Sequence, residues 1–400
     1  MIRAVIGDSR LPMTPIYLDY NATTPLDPAV IAAIQPYLSD HFGNPSSSHQ
    51  YGQQTKSAVE RSRQQVASLI GAEPDEIVFT SGGSEANNHA LKGLIHARSQ
   101  TFFQRLFGKR EQHIITSVIE HPAIDLPCRF LARHGCRVTR VPVDSQGLVN
   151  PDDVKKALAQ GATLVTIMHS NNEVGTLQPI KEIAKLCRSH GAICHTDAAQ
   201  SLGKVEINVN DLGVDLLSIA GHKLYAPKGV GALFIRRGVK LENLMHGAGH
   251  EAGRRAGTEN VPWMVALGTA CEIAKGSLPG ATEKLRGLRD RLWSKLQSGL
   301  GKAISLNGHV QRRLPNTLNV NFIGCTGAEL LDALPSIAAS TGSACHEGQV
   351  HLSGVLKAMG VSPEVGRGAI RLSVGRFTTE EQIDAATEQL IQAGRSSCQS

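Results

Sequence analysis

No pair of cysteines in this chain has CxxC spacing, and that absence removes zinc ribbons and thioredoxin-like redox pairs. Eight cysteines in 400 residues are too sparse for a disulfide framework, so a reducing, cytoplasmic setting is expected. No apolar run reaches about 18 residues, which argues against a membrane span. The opening MIRAVIGDSRLPMTP lacks an apolar core and a small-residue cleavage site, so it does not read as a signal peptide. Aromatic residues are only 4% of the chain, and the excess of 41 Lys+Arg over 35 Asp+Glu is spread along it. The densest basic stretch is Arg98, Arg105, Lys109 and Arg110. A nucleic-acid face needs clustered cations interleaved with stacking aromatics, so none is expected. None of the sixteen histidines falls in an HExxH pattern, and no metal centre is expected.

Glycine is plentiful: 40 residues, concentrated where apolar runs meet polar loops. Short β-rich runs cover 76–80, 113–119, 164–168, 192–196, 216–220 and 230–235, and helical patterns such as EANNHALKGLIHAR and IKEIAKLCRSHG lie between them. That alternation predicts an α/β fold with a mostly parallel sheet covered by helices. The rhythm changes near Gly276–Ala281, where a break is expected before an amphipathic helix carrying Leu285, Leu288, Leu292 and Leu296 on one stripe. A strand over 314–323, a helix over 327–334 and a Gly/Ser/Ala loop over 340–349 follow. The expected division is a large domain over 25–278 and a small domain built from 1–24 and 279–400. The segment 99–112 reads as an insertion, either a surface helix or a partner-binding arm.

Six segments carry possible chemistry. Lys223 leaves an apolar strand at a glycine. Burial there pushes an amine toward its neutral form, which can make a Schiff base, although a surface lysine after a strand fits the same pattern. Asp197 ends another apolar strand, where ligands of open α/β sheets collect, and it can pair with a protonated ring nitrogen. Gln200 lies within reach if the chain turns helical. The Thr80–Asn88 turn, with Gly83 and Ser84, offers free N–H groups at a helix start to a phosphate, yet it is neither GxGxxG nor a Walker sequence. His121 follows a strand and can stack and move protons. Cys345, beside His346 in a small-residue loop, is expected to have the exposure a reactive thiol needs, although a small loop filler fits the same pattern. Arg371 sits in an alternating strand, and its guanidinium is a natural clamp for an α-carboxylate.

These segments, with Tyr17–Pro28 (YLDYNATTPLDP), Phe42–His49 (FGNPSSSH) and Ile370–Glu381 (IRLSVGRFTTEE), resemble the cysteine desulfurases. Those are class V pyridoxal 5'-phosphate (PLP) enzymes of the aspartate-aminotransferase fold, type I. The selenocysteine lyases are closely similar. The resemblance implies a large domain with a mostly parallel seven-stranded sheet and a smaller α/β C-terminal domain. It implies Lys223 as the residue joined to the cofactor aldehyde, His121 as the stacking acid/base, Asp197 at the ring nitrogen and Gln200 at the ring hydroxyl. Gly83, Ser84 and His222 would hold the phosphate, and Arg371, Asn172 and Asn21 would hold the substrate. Cys345 would take the sulfur as a persulfide. Thr258, in GRRAGTEN, would reach the phosphate of a second copy, making a homodimer. Ala220 stands where many members carry a serine ligand. His346 after the cysteine looks more like the selenocysteine lyases. The implied activity converts L-cysteine to L-alanine and passes sulfur to acceptor proteins for iron–sulfur or thiolation chemistry. The alternatives are a selenocysteine lyase and a sulfur-carrier hub that docks acceptors through the 99–112 arm.

Overall fold

The computed structural model describes residues 14–99, 111–341, 343–346 and 349–397, with 343–346 and 349–351 followed as backbone. Residues 100–110 of the expected insertion lie outside the described residues.

A seven-stranded sheet dominates. Its strands are β1 (Ile77–Thr80), β2 (His113–Ser117), β3 (Arg137–Val141), β4 (Leu164–Thr166), β5 (Ile193–Asp197), β6 (Leu216–Ala220) and β7 (Gly231–Ile235). The spatial order is β1-β7-β6-β5-β4-β2-β3. The β2, β3, β4, β5 and β6 strands run parallel, and β7 runs antiparallel to both β1 and β6. Strands β1, β2, β4, β6 and β7 are buried along their whole length. Helices cover both faces, so these strands read as near-continuous apolar runs. At β6–β7 two backbones approach closely: a Cβ on Gly231 would lie 2.4 Å from Ile219 O and 2.7 Å from the Cα of Gly82. Only glycine fits there.

Two helices matter for the site. Gly83 starts α1 (Gly83–Asn88), which continues as a wide turn through His89–Gly93 and a last helical stretch to Ser99. His121 caps α2 (Pro122–Arg133). The expected break at Gly276–Ala281 does not occur. One forty-residue helix, α3 (Val261–Leu300), runs straight through Pro279. Its first half packs in the core beneath the large sheet through Met264, Leu267 and Cys271, and its second half joins a separate core through Leu285, Leu288, Leu292 and Leu296. Burial at both ends outweighs the roughly 3 kcal/mol that an interior proline costs a helix.

The second core lies on an antiparallel sheet of β8 (Ile304–Asn307), β9 (Thr317–Phe322), β10 (Ser340–Thr341) and β13 (Ala369–Ser373), ordered β10-β13-β9-β8. Leu18 belongs to that core, and Ile16–Tyr17 pair in parallel with Ile337–Ala338. The stretch expected as a loop around Cys345 has strand backbone instead. β11 (Ser343–His346) pairs antiparallel with β12 (Gln349–Leu352), with Cys345 opposite Val350. No described helix is long and apolar enough to cross a membrane.

Candidate active site

Register places the first two groups. In the β5–β6 pair Asp197 stands opposite Ser218, so both strands end at the same edge. Asp197 is the last residue of β5, and Lys223 closes the 3₁₀ turn Gly221–Lys223 that follows β6. Both face one cavity of about 420 Å³. The carboxyl ends of parallel strands form such crevices because the loops splay apart there.

Lys223 Nζ donates to the backbone oxygens of Asn21 and Ala22. Burial pushes its ammonium down to about 8, with Arg371 adding to the shift and Asp19 and Asp197 opposing it. Asp197 is held on both oxygens: Oδ1 accepts from Ala199 N at 2.9 Å, and Oδ2 accepts from Asn87 Nδ2 at 2.7 Å. Gln200 Nε2 donates to Asn21 O at 2.9 Å.

His121 Nδ1 accepts from Ala123 N at 3.1 Å as it caps α2. In the neutral ring the proton therefore sits on Nε2. Burial lowers the His121 pKa, Asp197 opposes the shift, and Lys223 adds to it. His222, in the turn, is pushed down to about 4 by burial and by Lys223, so it is neutral near pH 7. Beside the Lys223 turn, Gly82 (φ +148°) leads into the helix start. A Cβ on Gly83 would lie 3.2 Å from that of Ala220, so the two chain segments nearly touch.

Arg371 comes from β13 in the second sheet. Its guanidinium pairs with Asp19 at 2.7 Å and donates to Asn172 O at 3.1 Å and Ser340 Oγ at 3.0 Å. Its Nε is buried without a partner. Asn21 Nδ2 donates to Thr317 Oγ1 at 2.8 Å and to Asn172 O at 3.2 Å.

The cavity thus brings together Lys223, Asp197, Gln200, His121, Gly83, Ser84 and His222 with Asn21, Asn172 and Arg371. Thr258 does not line it. That residue is exposed, on a loop tied to the glycine turn by Arg255, whose Nε lies 2.9 Å from Glu85 Oε1. The side chain of Cys345 lies outside the described structure. Sequence reasoning misses Asn87 and Asp19. Asn87 lies four residues after Gly83, on the same helix face, and that spacing is the signal that could have found it. Asp19 sits inside the YLDYNATTPLDP run, but nothing local shows that an arginine 352 residues away would pair with it.

Compared with known proteins, residues 16–386 match the aminotransferase class-V family. A protein named cysteine desulfurase IscS, from Dictyoglomus turgidum, is 44% identical over 377 residues, covering 94% of this chain and 93% of its own. A cysteine desulfurase of Rattus norvegicus is 42% identical over 391 residues, covering 97% of this chain and 84% of its own. Among solved structures, a NifS-like protein superposes with a TM-score of 0.86 at 36% identity, covering 95% of this chain and 99% of its own. SspA in complex with cysteine gives 0.79 at 35% identity, with 91% and 99% covered.

Proposed function

Because this chain belongs to the aminotransferase class-V family and has the type I fold of its PLP enzymes, we propose that the cavity works as follows. The protein is a cysteine desulfurase: L-cysteine enters, L-alanine leaves, and the sulfur stays on the enzyme as a persulfide. The observation that carries the site assignment is that Lys223 and Asp197 face one cavity from the ends of two adjacent parallel strands.

The residues present fit PLP. A carboxylate is held at one wall, an amine depressed toward neutrality stands at another, and a glycine turn, with Gly82 at φ +148° and a Cβ on Gly83 held to 3.2 Å from Ala220, opens a helix start for a phosphate. When bound, that group supplies an aldehyde to the substrate amine and a ring that takes up electrons from Cα. Asp197 would meet the ring nitrogen, and Asn87 holds its carboxyl group in place. Gly83, Ser84 and His222 hold the phosphate, and Gln200 meets the ring hydroxyl.

Arg371 and Asn172 seat the substrate carboxylate, with Asn21 beside them. Asp19 and Ser340 fix the guanidinium, so little rotamer freedom is lost on binding. Lys223 Nζ removes the α-proton and returns a proton to form alanine. It does so near neutral pH because its amine is already near its midpoint. His121 is the acid/base at the substrate thiol: with its proton on Nε2 it donates to the substrate sulfur. The Cys345 thiolate attacks the substrate sulfur, the sulfur–Cβ bond breaks with its electron pair left on carbon, and Cys345 carries the sulfur away.

The molecule is read as two domains, 25–278 and 1–24 with 279–400, the second carrying Cys345. A homodimer completes the phosphate site through Thr258. Cytoplasmic acceptor proteins take the sulfur. The test is direct: purified protein with L-cysteine and a thiol reductant yields equimolar alanine and sulfide, and Cys345→Ala yields neither. Alanine release from L-cysteine by Cys345→Ala at the wild-type rate would overturn the persulfide role, and a preference for L-selenocysteine would move the assignment to a lyase.

A further inference from the structure

Lys204 has no part in that chemistry, yet it is one of the most deeply placed cations of the protein, with 7% of its surface exposed. Its Nζ donates to Gln200 Oε1 at 3.1 Å and to Asn21 Oδ1 at 3.4 Å. Both are neutral amides. Burial, Lys223 and Arg371 all act against its charge and bring its pKa down to about 7. A buried amine surrounded by its own sign is costly to keep, so the stretch that holds it has something to gain from its donors.

What it gains is visible in the amides. A carboxamide can present either end to a neighbour, and the neighbour decides which. An ammonium offers three N–H groups and a neutral amine two, enough for both oxygens in either form. With Oε1 turned to Lys204, Gln200 aims Nε2 at Asn21 O, the oxygen that also accepts from Lys223. With Oδ1 turned to Lys204 and to Asn316 Nδ2, Asn21 aims Nδ2 at Thr317 and Asn172, next to Arg371. Lys204 itself lines a second cavity of about 350 Å³, and Lys223 lines both cavities.

The structure assigns Lys204 as a positioning residue: it fixes the Gln200 and Asn21 carboxamides with their N–H ends on the side of Lys223 and Arg371. This rests on the reading of the cavity as a PLP site. The experiment uses full-length protein as wild type, Lys204→Met, Lys204→Arg, Gln200→Ala and the Lys204→Met/Gln200→Ala double variant. Each is stripped of cofactor and titrated with PLP, and the visible absorption of the loaded protein is followed against pH. Lys204→Met is expected to bind PLP about tenfold more weakly, the size of one lost hydrogen bond, and to shift the midpoint of the absorption titration. In the Gln200→Ala background the same substitution adds less than about twofold, because coupled groups do not add. Lys204→Arg keeps the donors and stays near wild type. Lys204→Met that binds and titrates as wild type overturns the assignment, as does an undiminished effect in the Gln200→Ala background. Where circular dichroism shows Lys204→Met unfolded, Lys204→Arg is set against Gln200→Ala: a wild-type midpoint in the first with a shifted one in the second supports the role, and equal shifts overturn it. A wild type that binds no PLP sinks the reading of the cavity itself, whereas a normal wild type with an unaltered Lys204→Met sinks only the role of Lys204.

Discussion

Asn87 Nδ2 donates to Asp197 Oδ2 over 2.7 Å, inside the wall of the cavity, and the oxygen of the Asn87 carboxamide is buried without a partner. The amide therefore serves the carboxylate before anything else. Asn87→Asp replaces that donor with a second carboxylate at contact distance, and two such groups cannot both stay ionised. The expected outcome is at least about a tenfold loss of PLP affinity, since the two carboxyl groups share a proton and the pair no longer offers Asp197 held by a neutral donor. Spectroscopic titration of cofactor-free protein measures it. Asn87→Ala, which removes the donor without adding charge, should fall between Asn87→Asp and wild type.

Lys223 gives a pH prediction with a definite sign. Its amine is depressed to about 8, so it is mostly protonated below that pH and mostly neutral above it. Attack on an aldehyde needs the neutral form. The rate at which cofactor-free protein captures PLP is expected to rise as pH increases toward about 8 and to level off above it. Stopped-flow absorbance checks this, and Lys223→Ala should show none of this pH-dependent capture. A capture rate that keeps rising to pH 10 would mean that the lysine is not depressed.

Much of the site is legible in the sequence. Asp197 ends an apolar strand, Lys223 and His121 follow one, and parallel strands deliver their carboxyl ends to one edge, so local pattern offers the three as candidates while the resemblance supplies their roles. Six of the seven strands of the large sheet are legible for the same reason; the edge strand β3 (Arg137–Val141), polar and only partly buried, is not. The pairing of Arg371 with Asp19 is not, because it joins residues near opposite ends of the chain through the second sheet. The unbroken α3 runs against its local pattern: Gly276, Pro279 and Gly280 are helix breakers, while the two cores that hold the helix together are tertiary. Lys204 looks like an ordinary lysine after a glycine; only packing reveals its burial.

Glu120 precedes His121 and accepts from Ser117 Oγ at 2.6 Å and Met168 N at 3.0 Å, while its Oε2 is buried without a partner. Burial raises its pKa to about 8, with Asp197 adding to the shift. A carboxyl whose folded pKa lies above its unfolded value binds a proton more tightly when folded. Its contribution is therefore present below the unfolded value near 4.5 and is lost as pH rises through about 8. Glu120→Gln mimics the protonated form and keeps an oxygen for both donors. Its stability relative to wild type is expected to improve steadily between pH 5 and 8, read as the difference in urea midpoints. A constant difference across that range would show that Glu120 is ionised throughout.

Arg63 and Glu251 form a two-pronged pair, at 2.7 and 2.9 Å, with both side chains almost wholly buried. Glu251 also accepts from Phe79 N of β1 at 2.8 Å, and Arg63 donates to Ile77 O. The pair thus ties the large sheet to the loop that carries Arg255 and Thr258. In that loop Glu251 and Ala252 hold positive φ of 52° and 55° without being glycine. Such backbone persists only where the surroundings force it. Arg63→Met leaves a buried carboxylate uncompensated, and a loss of about 3–5 kcal/mol is expected in chemical denaturation. Arg63→Met/Glu251→Leu removes both charges and should recover most of that loss, yet the loop would no longer be held. On the proposed homodimer, the double variant is therefore expected to be stable but to bind PLP more weakly and to dissociate to monomer at lower dilution, as sedimentation would show. A stable double variant with unaltered cofactor affinity and assembly would mean that the pair serves stability alone and that the loop positions itself.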